Sequence, residues 1–234
     1  MNKMLTTAMA IAAVAGLASA AIETTAGYKE VSVSGTEFIG TPFASFTDTD
    51  VAATIGDIIG ANGDKITVIS AAGKKLFTAT YSSSADPAGW YVEEACSNSY
   101  PLARGTAVQF VAGSNSELFM AGSLVPEDVN VTLGAQNNFI ANASAFSGTT
   151  LGDFVVSGDS YKPMGSDYFL VDGQKVVYLN QATAAKAGLS AGWYLKSALK
   201  TPKTAVSQNS TPIAVGKGFR CVLTTGATIT VPGN

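Results

Sequence analysis

The sequence contains no histidine. Histidine is the most common general base of enzymes and the most common zinc ligand, so its absence excludes serine–histidine and cysteine–histidine catalysis. No glycine-rich loop stands between a strand pattern and a helix pattern, which leaves a nucleotide site without support. We therefore expect a protein that is not an enzyme and carries no cofactor.

Charged residues are also scarce, and their distribution at the N-terminus is typical of a targeting signal. Residues 1–20 combine a single early cation at Lys3, a short apolar run and the small residues Ala18-Ser19-Ala20, the pattern of a secretory signal peptide cleaved after Ala20. The remaining chain has 13 basic and 17 acidic side chains, a net charge of −4. This balance argues against nucleic acid as a partner. No later apolar run is long enough for a membrane span, so we expect a periplasmic, cell-surface or extracellular protein.

The chain repeats itself. Ala88-Gly89-Trp90-Tyr91 returns as Ala191-Gly192-Trp193-Tyr194. Further blocks match in the same order: 31–33 with 131–133, 38–39 with 139–140, 54–59 with 150–155, 73–77 with 173–177, and 101–105 with 212–216. Such self-similarity predicts a tandem duplication. The boundary falls at the Pro126 connector, giving a first unit of residues 21–126 and a second of 127–234, which we expect to share an interface.

The pattern within each unit predicts strands. Alternating apolar residues and many turn residues indicate an all-β fold, with each unit a small β-sandwich or partly open barrel of six to eight strands. Thr54 and Thr150, each followed three positions later by aspartate, predict one short helical turn per unit through a capping box. Hairpins are expected around residues 71–74 and around Asp172-Gly173.

A second hairpin is predicted to close each unit, joining residues 107–111 to 118–120 and residues 218–223 to 228–231. Within its first strands Val108 and Phe110 share a side, as do Phe219 and Cys221. We expect that side to face inward.

The aromatic pairs Trp90-Tyr91 and Trp193-Tyr194 are the most conspicuous candidate ligand-binding residues. Adjacent residues of a strand point to opposite faces, so at least one ring of each pair belongs to the core. The alternatives are that both rings are core anchors, or that the outward ring of each unit stacks on a sugar, with Tyr81 and Tyr178 nearby.

The two cysteines, Cys96 and Cys221, permit one disulfide, which secretion would allow and which would join the two units. Each also lies opposite a large apolar residue of the other unit, Leu199 and Phe110 respectively. Buried packing therefore explains both cysteines equally well.

Carboxylates are the remaining chemical candidates. Glu93-Glu94 lies beside Trp90 and is the best pair for glycoside hydrolysis. At the aligned positions the second unit has Lys196-Ser197. Adjacent acidic residues ordinarily lie on a solvent-exposed edge of a fold. Asp48-Thr49-Asp50 with Asp57 lacks the ligand loop of a calcium site. We predict no catalytic and no metal site.

Taken in order, these motifs resemble a family of uncharacterised secreted proteins of environmental Gram-negative bacteria, usually two β-rich repeats behind a signal peptide. The resemblance implies an extracytoplasmic surface or matrix protein without catalytic residues to carry over. Our leading hypothesis is a noncatalytic structural or adhesive protein that assembles with copies of itself through exposed edge strands. The alternative is a carbohydrate-binding module for cell-surface or extracellular polysaccharide, which gains avidity from two sites.

Overall fold

The computed structural model describes residues 26–46, 51–70, 74–114 and 116–234. The expected signal peptide, the Asp48-Thr49-Asp50 segment and the turn at 71–73 lie outside these ranges. No helix within them is long and apolar enough to cross a membrane.

The first unit is built of antiparallel strands. They are β1 (Ala26–Val33), β2 (Thr36–Ile39), β3 (Ala53–Thr54), β4 (Ile58–Ile59), β5 (Lys65–Ile69), β6 (Lys75–Ser82), β7 (Gly89–Val92), β8 (Ala95–Cys96), β9 (Pro101–Leu102), β10 (Val108–Val111) and β11 (Ser116–Ser123). One sheet has the order β1-β11-β4 and a second the order β2-β10-β5-β6-β7-β8, while β3 pairs with β9.

The second unit has the same plan. Its strands are β12 (Val129–Leu133), β13 (Gln136–Ala141), β14 (Val155–Ser157), β15 (Tyr168–Val171), β16 (Gln174–Leu179), β17 (Gly192–Leu195), β18 (Gly218–Leu223) and β19 (Ala227–Val231). They form sheets of order β12-β19-β14 and β13-β18-β15-β16-β17. The all-β prediction is confirmed, and the strand orders of the two units correspond. A common origin of the units stays a prediction.

Each unit has its own core between its two main sheets. In the first, Val31 and Leu118 of the three-stranded sheet meet Ile66 and Phe110 of the larger sheet. In the second, Ile229 and Phe219 belong to the corresponding cluster. The predicted alternation is confirmed, because Val108, Phe110, Phe219 and Cys221 are all buried.

The predicted helical turns are present as 3₁₀ helices at Ile55–Asp57 and Leu151–Asp153. In the first, the Asp57 carboxylate accepts hydrogen bonds from the Thr54 backbone N–H (2.7 Å) and the Thr54 hydroxyl (3.0 Å). Asp153 and Thr150 repeat this arrangement at the same distances.

The central hairpins are confirmed as β5–β6 and β15–β16. At the turn of the second, Asp172 and Gly173 have φ angles of 46° and 75°. Two successive positive φ values are what a tight two-residue hairpin requires.

The predicted closing hairpins are wrong. β10 pairs with β2 and β5, whereas β11 pairs with β1 and β4. β18 and β19 likewise belong to different sheets. The connection after β10 crosses between layers and is held by the buried Asp64, whose carboxylate accepts from Gly113 N (2.9 Å) and Ser116 Oγ (2.8 Å). Asp167 holds the β18–β19 connection through Thr224 N and Oγ1 (both 2.8 Å).

The second unit contains helices that the sequence pattern did not predict. Helix α1 (Gln181–Ala187) begins where the Asn180 side chain accepts from Thr183 N (2.9 Å) and ends at Gly188, which has φ 70°. Short 3₁₀ helices follow at Lys196–Lys200 and Pro202–Thr204. Ala184 and Leu199 pack with Val177 and Tyr194 in a small separate cluster beside β16 and β17.

The units meet through a reciprocal interface, as expected. Gly40 N donates to Gly216 O, and Ala141 N donates to Gly105 O, both at 3.0 Å. The rings of Phe38 and Phe139, which are equivalent positions of β2 and β13, lie 5.0 Å apart. Because each unit contributes the same surface, this contact has the form of a two-fold dimer interface within one chain.

Candidate functional site

The two tryptophans are core anchors. Trp90 and Trp193 are both 0% exposed. Trp90 Nε1 donates to Ile58 O and Trp193 Nε1 to Phe154 O, each at 2.8 Å. These bonds join the large sheet of each unit to the strand or turn that follows its 3₁₀ helix. Neither indole offers a face to a sugar.

The neighbouring tyrosines are also engaged. Tyr194 is buried and Tyr91 half-buried. The Tyr91 hydroxyl donates to Pro87 O (2.6 Å) and the Tyr194 hydroxyl to Ser190 O (2.9 Å). Trp90, Trp193 and Tyr194 therefore fit the core-anchor alternative, whereas Tyr91 is hydrogen-bonded at the surface and lies outside the core. Tyr81 is buried as well, with its ring centroid 5.1 Å from that of Trp90.

Two asparagines that sequence reasoning missed position these anchors. Asn98 Oδ1 accepts from Trp90 N (2.7 Å), and Asn209 Oδ1 accepts from Trp193 N (2.8 Å). The contact also explains the glycine before each tryptophan, since a Cβ at Gly89 would lie 2.2 Å from the Asn98 amide. The separation along the chain is 8 residues in the first unit and 16 in the second, so a gapless comparison hides the match.

The possible disulfide is not formed. Both thiols are free: Cys96 is exposed on β8, at the edge of the large sheet of the first unit, and Cys221 is buried in the core of the second. A cysteine buried in the core of one unit cannot form a disulfide bond with a cysteine on an outer edge strand of the other unit. Burial raises the pKa of the Cys221 thiol to about 12.

Glu93 and Glu94 lie at the exposed turn between β7 and β8, where Glu93 has φ 55°. We call β7, this turn and β8 the acidic hairpin. The corresponding point of the second unit is the start of the 3₁₀ helix at Lys196. Within the described residues, no group of three potential metal ligands occurs.

Three lysines line an open groove in the second unit. Lys175, Lys196 and Lys200, with Met164 and Leu195 among the other residues, surround a volume of about 760 Å³, which we call the lysine groove. The Nζ of Lys175 lies 4.5 Å and that of Lys196 5.8 Å from the ring centroid of Tyr168. Two ammonium groups thus share one aromatic ring.

Lys196 is fixed in place. Its Nζ donates to Gly165 O (2.7 Å) and Asp167 O (2.5 Å). Burial lowers the pKa of Lys196; the Asp167 carboxylate opposes this shift and the charge of Lys175 adds to it. The groove therefore concentrates positive charge on a rigid wall.

A second feature is the outer edge of β1. The backbone N–H of Ile58 donates to Ile55 O and its carbonyl accepts from Trp90, so both groups point away from β11. The N–H and C=O groups of successive residues alternate in direction along a strand. Those of Phe119 in β11 therefore point toward β4, and those of Met120 point toward β1. It follows that Tyr28 and Glu30 direct their N–H and C=O groups outward, away from β11.

The carbonyl of Ser32, in phase with these residues, does point outward, because it accepts from Lys217 Nζ (2.8 Å). A groove of about 560 Å³ runs beside Lys29 to Ser32, with residues 147–150, 212–215 and 217 among its lining. In the described part of the chain no strand pairs with this side of β1. We call it the free edge of β1.

The fold and these surfaces define an all-β protein of two corresponding units with buried aromatic anchors. Comparison of the chain with protein-family models, curated proteins and solved structures finds no match.

Proposed function

We propose that this protein is a secreted, noncatalytic structural or adhesive component of the cell surface or extracellular matrix that associates with copies of itself through the free edge of β1. The observation that carries the proposal is the outer edge of β1 at Tyr28 and Glu30, which is unpaired among the described strands. Backbone donors and acceptors along an exposed edge are a template for another strand.

The contrast with the edge strands β2 and β13 of the two large sheets supports this proposal. β2 and β13, the edge strands of the two large sheets, lie against the opposite unit, and bonds such as Gly40 N to Gly216 O join the units there. The interface within the chain covers these two edges. Within the described residues, no strand pairs with the outer side of β1 at Tyr28 and Glu30.

The charges on β1 favour one pairing. Two antiparallel β1 strands centred on Tyr28 would place Glu30 opposite Ala26 and Lys29 opposite Gly27. Centring on Lys29 or on Glu30 would set like charges directly opposite each other, which is destabilising. Tyr28 itself is 67% exposed and free to pack across such a pair.

Sedimentation velocity over a range of concentrations tests the proposal. Tyr28→Pro removes an outward N–H that β1 does not use for pairing with β11, and proline is tolerated at such edge positions. We expect the original protein to form dimers and Tyr28→Pro to weaken dimerisation about tenfold or more. The matched control, Tyr28→Ala, loses the ring but keeps the N–H and should still dimerise. A strictly monomeric original protein, or a proline variant that associates like the original, contradicts the proposal.

The proposal includes export, on the strength of residues 1–20 and of the resemblance to secreted two-repeat proteins. Cell fractionation followed by N-terminal sequencing tests it, with Ala21 expected as the first residue of the exported chain. Retention of the uncleaved chain in the cytoplasm would contradict it.

The alternative, a carbohydrate-binding module, has less support because Trp90 and Trp193 are inaccessible and Tyr91 and Tyr194 are hydrogen-bonded within the fold. A glycan array on the folded protein tests it. Binding that is lost in Tyr91→Ala and kept in Tyr28→Ala would favour this alternative over self-association.

A further inference from the structure

The two units carry opposite charge. Residues 21–126 have 5 basic and 11 acidic side chains, whereas residues 127–234 have 8 basic and 6 acidic ones. The net charges are therefore −6 and +2. The first unit is thus acidic and the second basic, although the net charge of the two together is small.

The difference is sharpest at equivalent points of the two units. After the shared Trp-Tyr strand, the first unit continues into the acidic hairpin, whose Glu93 and Glu94 are exposed. The second unit continues into the 3₁₀ helix that carries Lys196 and Lys200, and both residues line the lysine groove.

Within the described residues, no carboxylate forms an ion pair with Lys175, Lys196 or Lys200. Among the residues that the structure describes, the ion pair found joins Lys217 to Glu37, at the interface between the units. Lys175 and Lys196 instead share the ring of Tyr168. Neighbouring ammonium groups repel each other, so an anionic group in the groove would relieve that repulsion.

We infer that the lysine groove binds the acidic hairpin of a second copy of this chain. Glu93 and Glu94 are a pair of exposed carboxylates in the turn that leads into the edge strand β8. The groove is open and presents the complementary charge. Electrostatic complementarity of this kind steers association and fixes which surfaces meet.

This contact joins two different surfaces, so it is heterologous. Each copy has one acidic hairpin and one lysine groove, and the repeated contact extends into a chain or closes into a ring. It rests on the proposed self-association, but it uses other residues than the free edge of β1. Dimers formed by β1 edges and linked through this second contact would give an extended matrix.

Charge reversal tests the inference. One variant carries Glu93→Lys with Glu94→Lys, and the other carries Lys175→Glu with Lys200→Glu; Lys196 is left intact because it bonds two backbone carbonyls. Each variant alone should keep the β1 dimer but lose, about tenfold or more, the further association of dimers into larger species that sedimentation velocity detects at low ionic strength. An equimolar mixture of the two should associate again, because a reversed hairpin then meets a reversed groove.

The matched control is Lys186→Glu with Lys203→Glu. It makes the same change of charge at exposed positions of the second unit that do not line the groove. This control should associate like the original protein, and all variants should keep its circular dichroism spectrum. High salt should weaken the contact in the original protein, because exposed charges are screened.

Three outcomes overturn the inference. The first is a hairpin variant that assembles like the original protein. The second is a mixture that fails to restore association. The third is a groove variant that loses binding to soluble polygalacturonate while the hairpin variant still assembles, which would make a polyanion the occupant. If the charge variants assemble normally and Tyr28→Pro does not, this inference fails and the proposed function stands. If the original protein is a monomer under all conditions, both this inference and the proposed function fail.

Discussion

The carboxylate of Asp64 accepts a hydrogen bond from the hydroxyl of Ser116, 52 positions further along the chain and 2.8 Å away, and both side chains are buried. The same carboxylate accepts from Ala61 N (2.8 Å) and Gly113 N (2.9 Å). One buried acid thus holds the start of β5 to the connection by which the chain leaves the large sheet for the three-stranded one.

We predict that Asp64→Ala and Asp167→Ala each lower the free energy of unfolding by about 3 kcal/mol, because each leaves buried donors without an acceptor. Urea denaturation followed by circular dichroism measures this loss. Asp159→Ala, at an exposed position, is the control and should change stability by less than about 0.5 kcal/mol. A similarly small effect at Asp64 would contradict the role assigned to it.

Trp90→Phe and Trp193→Phe should each cost about 2 kcal/mol, since each removes the indole N–H that a buried carbonyl accepts and leaves unfilled volume. The two costs should be similar because the bonds are equal in length, at 2.8 Å. Urea denaturation of both variants tests this expectation. A large cost in one unit and none in the other would show that the anchors are not equivalent.

The two cysteines should differ in reactivity. At mildly alkaline pH a thiol reagent should label Cys96 in the native protein and Cys221 only after unfolding, because the Cys221 thiol is buried and its pKa is raised to about 12. Mass spectrometry counts the labels. Cys96→Ser should take up none before denaturation. Absence of labelling in the denatured, unreduced protein would instead reveal a disulfide.

The interface between the units should respond to salt. Lys217 pairs with Glu37 and donates to the carbonyl of Ser32, and both partners of the pair are half-buried. Lys217→Ala should destabilise the protein by about 0.5–1 kcal/mol at low ionic strength and by less in high salt. Lys203→Ala, which is exposed, serves as the control. An equal effect of the two substitutions would remove the role of the pair.

The Glu30 carboxyl on β1 should have a raised pKa because Glu117 lies nearby on β11. A hydrogen bond to Glu117 raises the pKa of Glu30 from its ordinary value, and slight burial and the charge of Glu117 act in the same direction. A raised carboxyl pKa in the folded state gives stability that is present below the unfolded pKa and lost as pH rises through the folded one. The free energy of unfolding should therefore decrease as the pH rises, in mild acid, from the unfolded-state pKa of Glu30 through its folded-state pKa. NMR titration should show a smaller shift of the Glu30 pKa in Glu117→Gln, and an unchanged Glu30 pKa would contradict the role of Glu117.

Local features of the sequence predicted much of the fold. The Asp172-Gly173 turn and the Thr54 and Thr150 helical turns depend on neighbouring residues, and all are present. The burial of Phe110 and Cys221 follows from strand alternation. Asn98 and Asn209 escaped notice because insertions place them at different distances from the tryptophans they hold.

By itself the sequence determined the all-β class, the alternation that selects the buried side chains, and the matching positions of the two Trp-Tyr pairs, because each depends on residues close together in the chain. The tertiary structure alone decided that β10 and β11 join different sheets, that the edges of β2 and β13 are covered while that of β1 is free, and that three lysines line one groove. Those outcomes rest on contacts between distant segments, and local conformational preference does not specify which distant backbone a strand will meet.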